Sequence, residues 1–175
     1  MKIKKLFIFV AIFLAAVVSS QAQNAPDQTK DLDSLYAQKL LKPGTVAPDF
    51  ILPMMNNYKV QLSEFKGKYV LLDFWATWCP DCRKDIPAVK ELYEKYGSKV
   101  EFIGVSFDVD HNRWTKYVVD NGMKWRQVSE LKKMRDAEIS KAYGVEWIPS
   151  MTLIGPDGKV VLSTVVLERM AKALA

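Results

Sequence analysis

One short segment constrains the fold of this chain more than any other: the cysteines Cys79 and Cys82, separated by two residues, stand between two different hydrophobic patterns. The residues before the pair, Tyr69 to Trp75, form an apolar run that is typical of a strand buried on both faces of a sheet. After the pair, apolar residues recur at helical spacing as far as Gly97. We therefore predict that the pair lies where a buried strand leads into the first turn of a helix.

This position makes the pair chemically reactive. A disulfide across so short a loop removes little chain entropy, so the spacing indicates redox exchange rather than a structural crosslink. At the start of a helix, unpaired backbone N–H groups and the helix dipole stabilise a thiolate and lower the pKa of a thiol. Cys79 is therefore the predicted nucleophile. Cys82, one helical turn later and expected to be the more buried, is the predicted resolving thiol.

The rest of the sequence alternates strand and helix patterns. One β-hairpin is predicted before the cysteine pair and a second near the end of the chain, around Asp157-Gly158. Between the two hairpins, further helices and one further strand are predicted in addition to the strand and helix around the cysteines. This order predicts an α/β fold, a mixed central sheet flanked by helices with an N-terminal β-hairpin. The predicted ranges, besides the strand and helix around the cysteines, are 50–52, 59–62, 100–107, 111–119, 137–143, 151–154, 159–162 and 167–174.

The first 22 residues read as a secretory signal peptide. Three lysines precede an apolar stretch of 13 residues, Leu6 to Val18, which leads to the small-residue site Ser20-Gln21-Ala22. A membrane-spanning helix needs roughly 20 apolar residues, so cleavage is favoured over an uncleaved membrane anchor, which is the alternative. We expect an exported, periplasmic protein.

The remaining residues are expected to form one domain. Residues 23–43 read as a linker or a short docking helix, with helical spacing over 31–41, and residues 44–175 as the folded domain. The net charge of +5 includes the three lysines of the signal peptide. The other basic residues are interleaved with acidic ones, which argues against a nucleic-acid partner.

The segment DFWATWCPDCR at 73–83 resembles the active-site segment of exported thioredoxin-like proteins of the TlpA/ResA group. The similarity extends to APDF at 47–50, to Pro87 within the predicted helix, and to GVEWIPS at 144–150. The resemblance implies a thioredoxin-like fold with a helical insert before a cis-proline at Pro149. It also implies a thiol–disulfide oxidoreductase that needs no cofactor.

The resemblance also assigns site residues around the pair. Pro149 matches the cis-proline that places the backbone of Ile148 beside the dithiol, where it would pair with a substrate peptide. Asp73 matches a buried acid that exchanges a proton with Cys82. Burial in an apolar strand should raise the pKa of such a carboxyl towards neutral pH, although an exposed or capping Asp is the alternative. Trp78 is a candidate contact for substrates or a core residue.

The expected reaction is exchange through a mixed disulfide, with disulfide-containing or dithiol proteins as clients. The reduction potential sets its direction. The resemblance favours a reductase recharged by a membrane-embedded electron donor, with a role in cell redox homeostasis. The sequence leaves the oligomeric state open.

Two other functions use the same cysteines. A peroxiredoxin-like peroxidase would share the 47–50 motif. It would also need Thr or Ser three residues before the reactive cysteine and Pro seven residues before it, and this chain has Ala76 and Leu72 at those positions. A non-catalytic Cu(I) carrier would bind the metal through both thiolates and would need a further ligand, such as His111 or Met151. A zinc site would need a second pair of ligands, so no metal site is predicted. His111, the only histidine, is expected to begin a surface helix.

Overall fold

A computed structural model describes residues 29–175, so the predicted signal peptide at 1–22 and the first part of the 23–43 segment lie outside the described residues. Five helices and seven strands form the described part. In chain order they are α1 (Thr29–Tyr36), β1 (Ile51–Pro53), β2 (Lys59–Gln61), β3 (Tyr69–Trp75), α2 (Pro80–Tyr96), β4 (Val100–Ser106), α3 (His111–Asp120), β5 (Arg126–Ser129), α4 (Glu138–Tyr143), β6 (Ser150–Ile154), β7 (Val160–Thr164) and α5 (Leu167–Leu174).

A mixed five-stranded sheet forms the centre of the molecule, with the strand order β5-β4-β3-β6-β7. The central strand β3 pairs in parallel with β4 and antiparallel with β6. Every residue of β3 except Tyr69 is buried, because helices and neighbouring strands cover both faces of a central strand. A separate antiparallel hairpin, β1-β2, precedes this sheet. The predicted α/β fold with a mixed central sheet and an N-terminal hairpin is confirmed.

Most predicted elements begin and end within two residues of the observed ones. The exception is the N-terminal helix, predicted over 31–41, which ends at Tyr36 because the chain then turns to bury Leu40. Here the backbone passes so close to Gly144 that a Cβ atom at Gly144 would lie 1.9 Å from the Lys39 carbonyl oxygen. The short parallel strand β5 was not predicted, since four residues carry too little periodicity to identify a strand.

The order of elements places the two cysteines at the carboxyl end of β3. Helix α2 begins immediately after Cys79, with Pro80 at its first position, and continues through Pro87 to Tyr96. Pro suits the first helical position because its missing N–H would have no partner there. Among the helices of residues 29–175, none has the length and apolar character that crossing a membrane requires.

Candidate active site

Cys79 and Cys82 form a disulfide at the N-terminus of α2, with their Cα atoms 5.3 Å apart. Cys79 is the N-cap residue of the helix, and its Sγ accepts a hydrogen bond of 3.1 Å from the backbone N–H of Cys82. The same N–H would donate to a thiolate at Cys79 once the disulfide is reduced. The helix terminus therefore favours Cys79 as the sulfur that carries negative charge.

The two cysteines are buried almost equally, with 4% of Cys79 and 3% of Cys82 exposed. The sequence predicted that Cys82 would be the more buried, and the structure shows almost no difference between the two. Cys79 is covered by the segment before β6, whose Ile148 carbonyl oxygen is 3.7 Å from the Cys79 Sγ. The Ile148–Pro149 peptide bond is cis, and both residues are buried. The two sulfurs are thus distinguished by their position on the helix rather than by burial.

Asp73 lies in β3, opposite Gly104 of β4 and Met151 of β6, and only 6% of it is exposed. Burial raises the pKa of Asp73 to about 7, and the negative charge of Asp85 adds to the effect. A carboxyl with this pKa is populated in both protonation states at neutral pH. It has the acidity expected of a group that takes up and returns a proton.

Asp85 is a second acidic residue of this region, and the sequence analysis did not identify it. It is partly buried on α2, and burial raises its pKa to about 6, with additional negative charge from Glu168 of α5 and from Asp81. Its position three residues after Cys82 is the signal that could have identified it, because residues three apart share one face of a helix. The site therefore contains two carboxyls that titrate near neutral pH, one deeply buried and one nearer the surface.

The loop that leads into the cysteines is held by Asp108, another residue that the sequence analysis did not assign to the site. The Asp108 carboxylate accepts hydrogen bonds from the Thr77 backbone N–H (2.9 Å), the Thr77 hydroxyl (2.6 Å) and the Ser106 hydroxyl (2.8 Å). The guanidinium of Arg83 donates to the Thr77 carbonyl oxygen at 3.1 Å. Three donors satisfy a buried carboxylate, which fixes the loop immediately before Cys79.

Three tryptophans lie in the segments that form the site: Trp75 and Trp78 before Cys79, and Trp147 before Ile148. Trp78 is 48% exposed, whereas Trp75 is buried and donates from its indole N–H to the Gln127 Oε1 at 3.0 Å. Trp147, two residues before the cis-proline, is also exposed, and its ring stacks on that of Tyr36 with centroids 4.2 Å apart. The structure thus places two exposed tryptophans in the segments that flank the cysteine pair, where they are available to contact another molecule.

His111 begins α3, as predicted, and its Nε2 lies 3.0 Å from the carbonyl oxygen of Met55. Met151 is buried in β6, opposite Asp73. Within residues 29–175, no three side chains of His, Cys, Asp or Glu come together as ligands for a metal ion.

Comparison with known proteins shows what the chain is similar to. Residues 43–163 match the model of the AhpC/TSA family. The chain is 36% identical over 125 residues to the thiol-disulfide oxidoreductase ResA of Bacillus thuringiensis, covering 71% of this chain and 70% of that protein. It is 31% identical to ResA of Oceanobacillus iheyensis, covering 94% of this chain and 85% of that protein.

A solved structure is also similar to this chain. The thioredoxin domain of a thiol-disulfide oxidoreductase from Bacteroides vulgatus superposes with a TM-score of 0.67 at 30% identity. The match covers 77% of this chain and 99% of that domain.

Proposed function

The chain belongs to the AhpC/TSA family and is a thiol-disulfide oxidoreductase with a thioredoxin-like fold, and we propose that it reduces disulfides of client proteins outside the cytoplasm. The observation that carries this proposal is the position of Cys79. It caps α2, its sulfur accepts the Cys82 N–H, and it faces the backbone of Ile148. These contacts support assigning Cys79 as the nucleophile, Cys82 as the resolving thiol and the Ile148 backbone as the edge with which a client would pair.

In the first step, the thiolate of reduced Cys79 attacks one sulfur of a client disulfide. A bond forms between Cys79 and that sulfur, the client S–S bond breaks, and the second client sulfur leaves as a thiolate. The N-terminus of α2 supports this step because its N–H groups and dipole favour the anionic sulfur.

In the second step, Cys82 loses its proton and attacks the Cys79 sulfur. The Cys79–Cys82 disulfide forms, and the remaining client sulfur is released. The client gains two electrons and the enzyme loses them. Asp73 has a pKa of about 7, so its carboxylate is available to accept the Cys82 proton and its acid form to return it. A dithiol donor, which we propose to be a membrane-embedded protein, then returns two electrons and two protons.

The client is proposed to bind along the segment before β6. The Ile148 backbone lies next to Cys79, so an extended peptide that pairs with this backbone brings its disulfide to the nucleophile. The exposed side chain of Trp78, immediately before Cys79 in the sequence, offers the client an apolar contact. A thiol peroxidase is less well supported. Ala76 offers no hydroxyl three residues before Cys79, and the position where such an enzyme would need a proline is occupied by Leu72, which is buried in β3.

The function is tested by insulin reduction with dithiothreitol as the electron source. The parent protein and the control Glu94→Gln, which alters an exposed residue of α2, should catalyse reduction, and Cys79→Ser should not. Hydrogen peroxide consumption is measured on the same samples. Peroxide turnover without disulfide reduction, or full insulin-reducing activity in Cys79→Ser, would contradict the proposal.

A further inference from the structure

A groove of about 560 Å³ opens beside the cysteine pair, between the N-terminal helix α1 and the active-site helix α2. It is lined by Pro149 of the cis bond and by Asp81, which stands between the two cysteines, so the groove is continuous with the reaction site. The rest of its wall combines aliphatic side chains with two aromatic rings, Tyr36 and Trp147, two carboxylates, Asp85 and Glu168, and one ammonium group, Lys84. The aliphatic residues are Leu32, Val165, Val166 and Leu167.

Helix α1 is a fixed wall of this groove. The carboxylate of Asp33 accepts hydrogen bonds of 2.8 Å from the Thr164 hydroxyl and from the Val165 backbone N–H, and it forms an ion pair with Arg169. The stacking of Tyr36 on Trp147 adds a second attachment at the end of the helix. Since Asp33 is only 14% exposed, these contacts hold α1 against β7 and α5.

The groove carries an excess of negative charge. Of its lining residues within 29–175, only Lys84 is cationic, and its ammonium pairs with Asp81 at 2.8 Å. Burial and the negative charges of Glu168 and Asp81 raise the pKa of Asp85, and the positive charge of Lys84 offsets only part of this effect. A cation placed near the carboxylates of Asp85 and Glu168 would relieve the repulsion between them.

The aromatic part of the wall favours the same kind of ligand. Tyr36 is 37% exposed and Trp147 is 40% exposed, so both rings keep accessible surface although they stack on each other. Arginine and lysine side chains bind to the faces of such rings through cation–π contacts. Carboxylates and aromatic rings in one groove therefore complement a positively charged side chain.

We propose that this groove selects client proteins that carry a lysine or arginine about two residues from the cysteine under attack. In an extended peptide, two residues span about 7 Å, which carries a side chain from the cysteine pair into the adjacent groove. The proposal rests on the disulfide-reducing function and names the class of client for the same site. Carboxylates near the site should act mainly by accelerating encounter with such clients.

The test uses two model peptides with the same internal disulfide, one with lysine and the other with glutamate two residues from each cysteine. The rate constant for oxidation of the reduced full-length protein is measured by stopped-flow tryptophan fluorescence. At low ionic strength the lysine peptide should react at least about fivefold faster, as expected for one unit charge pair at contact distance in water. The ratio should fall towards one at about 1 M salt, where the screening length is roughly 3 Å.

Variants assign the preference to the groove. Glu168→Gln should lower the lysine-to-glutamate rate ratio, and Tyr36→Leu, which keeps an apolar side chain without a ring face, should lower it by about twofold. Glu91→Gln removes the same charge from an exposed position of α2 outside the groove and should leave the ratio unchanged.

Equal rates for both peptides, or a ratio that Glu168→Gln leaves unchanged, would overturn the groove proposal while the reductase function stands. Rate constants that fall as the protein concentration rises would indicate that a second copy occupies the groove and would also overturn it. If neither peptide oxidises the reduced protein, the proposed function fails and the groove proposal fails with it.

Discussion

Replacing Asp73 with asparagine should make the protein increasingly stable relative to the parent as the pH rises from 4 to 8. The folded-state pKa of Asp73 is raised to about 7 because the carboxyl is buried, while in the unfolded chain it has its ordinary value of 3.8. Between these two pH values the Asp73 carboxyl is ionised in the unfolded chain and protonated in the folded protein, so rising pH favours unfolding. The loss of folding stability that Asp73 causes is absent well below pH 4, grows between about pH 4 and 7, and reaches its full size above pH 7.

The magnitude follows from the size of the shift. One pKa unit corresponds to about 1.4 kcal/mol, so a shift of roughly three units costs about 4 kcal/mol above pH 7. Asparagine has nearly the same shape and does not titrate. Leaving its buried amide unpaired costs about 1–3 kcal/mol, but this offset is the same at every pH. The variant-minus-parent difference in unfolding free energy should therefore rise by about 4 kcal/mol between pH 4 and pH 8.

Urea unfolding of the oxidised proteins at pH 4, 6 and 8 measures this difference. Glu94→Gln, an exposed change in α2, is the control and should give the same small difference at all three values. Because each variant is compared with the parent at the same pH, groups that titrate equally in both proteins cancel. A difference for Asp73→Asn that does not change between pH 4 and pH 8 would refute a raised folded-state pKa of Asp73.

The same variant tests the proton-transfer role. Without a carboxylate to accept the Cys82 proton, release of the client from the mixed disulfide should slow by about 100-fold near neutral pH, the lower range for a lost general base. The release step is followed by quenched-flow and mass spectrometry between pH 6 and 8. Unchanged release rates would assign the proton to another acceptor, whatever the stability result.

Three further predictions concern the active-site loop, the N-terminal helix and export. Asp108→Ala should lower the free energy of unfolding by about 3 kcal/mol in urea titrations, because it leaves buried donors of the loop unpaired; a loss below about 1 kcal/mol would contradict the anchoring role. Asp33→Ala should release α1, so that limited proteolysis cleaves the chain near Lys39 faster than in the parent; equal cleavage rates would show that these contacts do not hold the helix. The native protein should be recovered from the periplasm with an intact mass beginning near Gln23, whereas a mass that includes residues 1–22 would favour the membrane anchor.

Sequence patterns predicted the parts of the fold that depend on local periodicity. The change from the apolar run of β3 to the helical spacing of α2 located the strand, the turn and the helix correctly. Strand β5 escaped prediction because it depends on its pairing with β4, and its buried Gln127 and Ser129 do not form an apolar pattern. The end of α1 at Tyr36 depends on the approach of the following residues to Gly144, which is distant in sequence.

In the candidate active site, too, the residues of one local segment could be predicted and those brought together by folding could not. Cys79, Cys82 and Asp73 stand in one continuous segment, so their spacing and surroundings could be interpreted from the sequence. Asp108 meets Thr77 across 31 residues, because β3 and β4 run in parallel and end at the same edge of the sheet. Glu168 comes near Asp85 only through the packing of α5 beside α2. In the sequence, Asp108, Asp85 and Glu168 therefore cannot be distinguished from ordinary surface acids.

The most direct test of the central claim is a comparison of two single-cysteine variants with a disulfide-containing peptide. Each reduced variant is mixed with the peptide at pH 7, quenched with acid, and analysed by mass spectrometry for a mixed disulfide. Cys82→Ser, which retains Cys79 at the helix N-terminus, should form the adduct at Cys79 rapidly and hold it, whereas Cys79→Ser should react much more slowly. Equal adduct formation by the two variants, or faster reaction at Cys82, would contradict the assignment of Cys79 as the nucleophile.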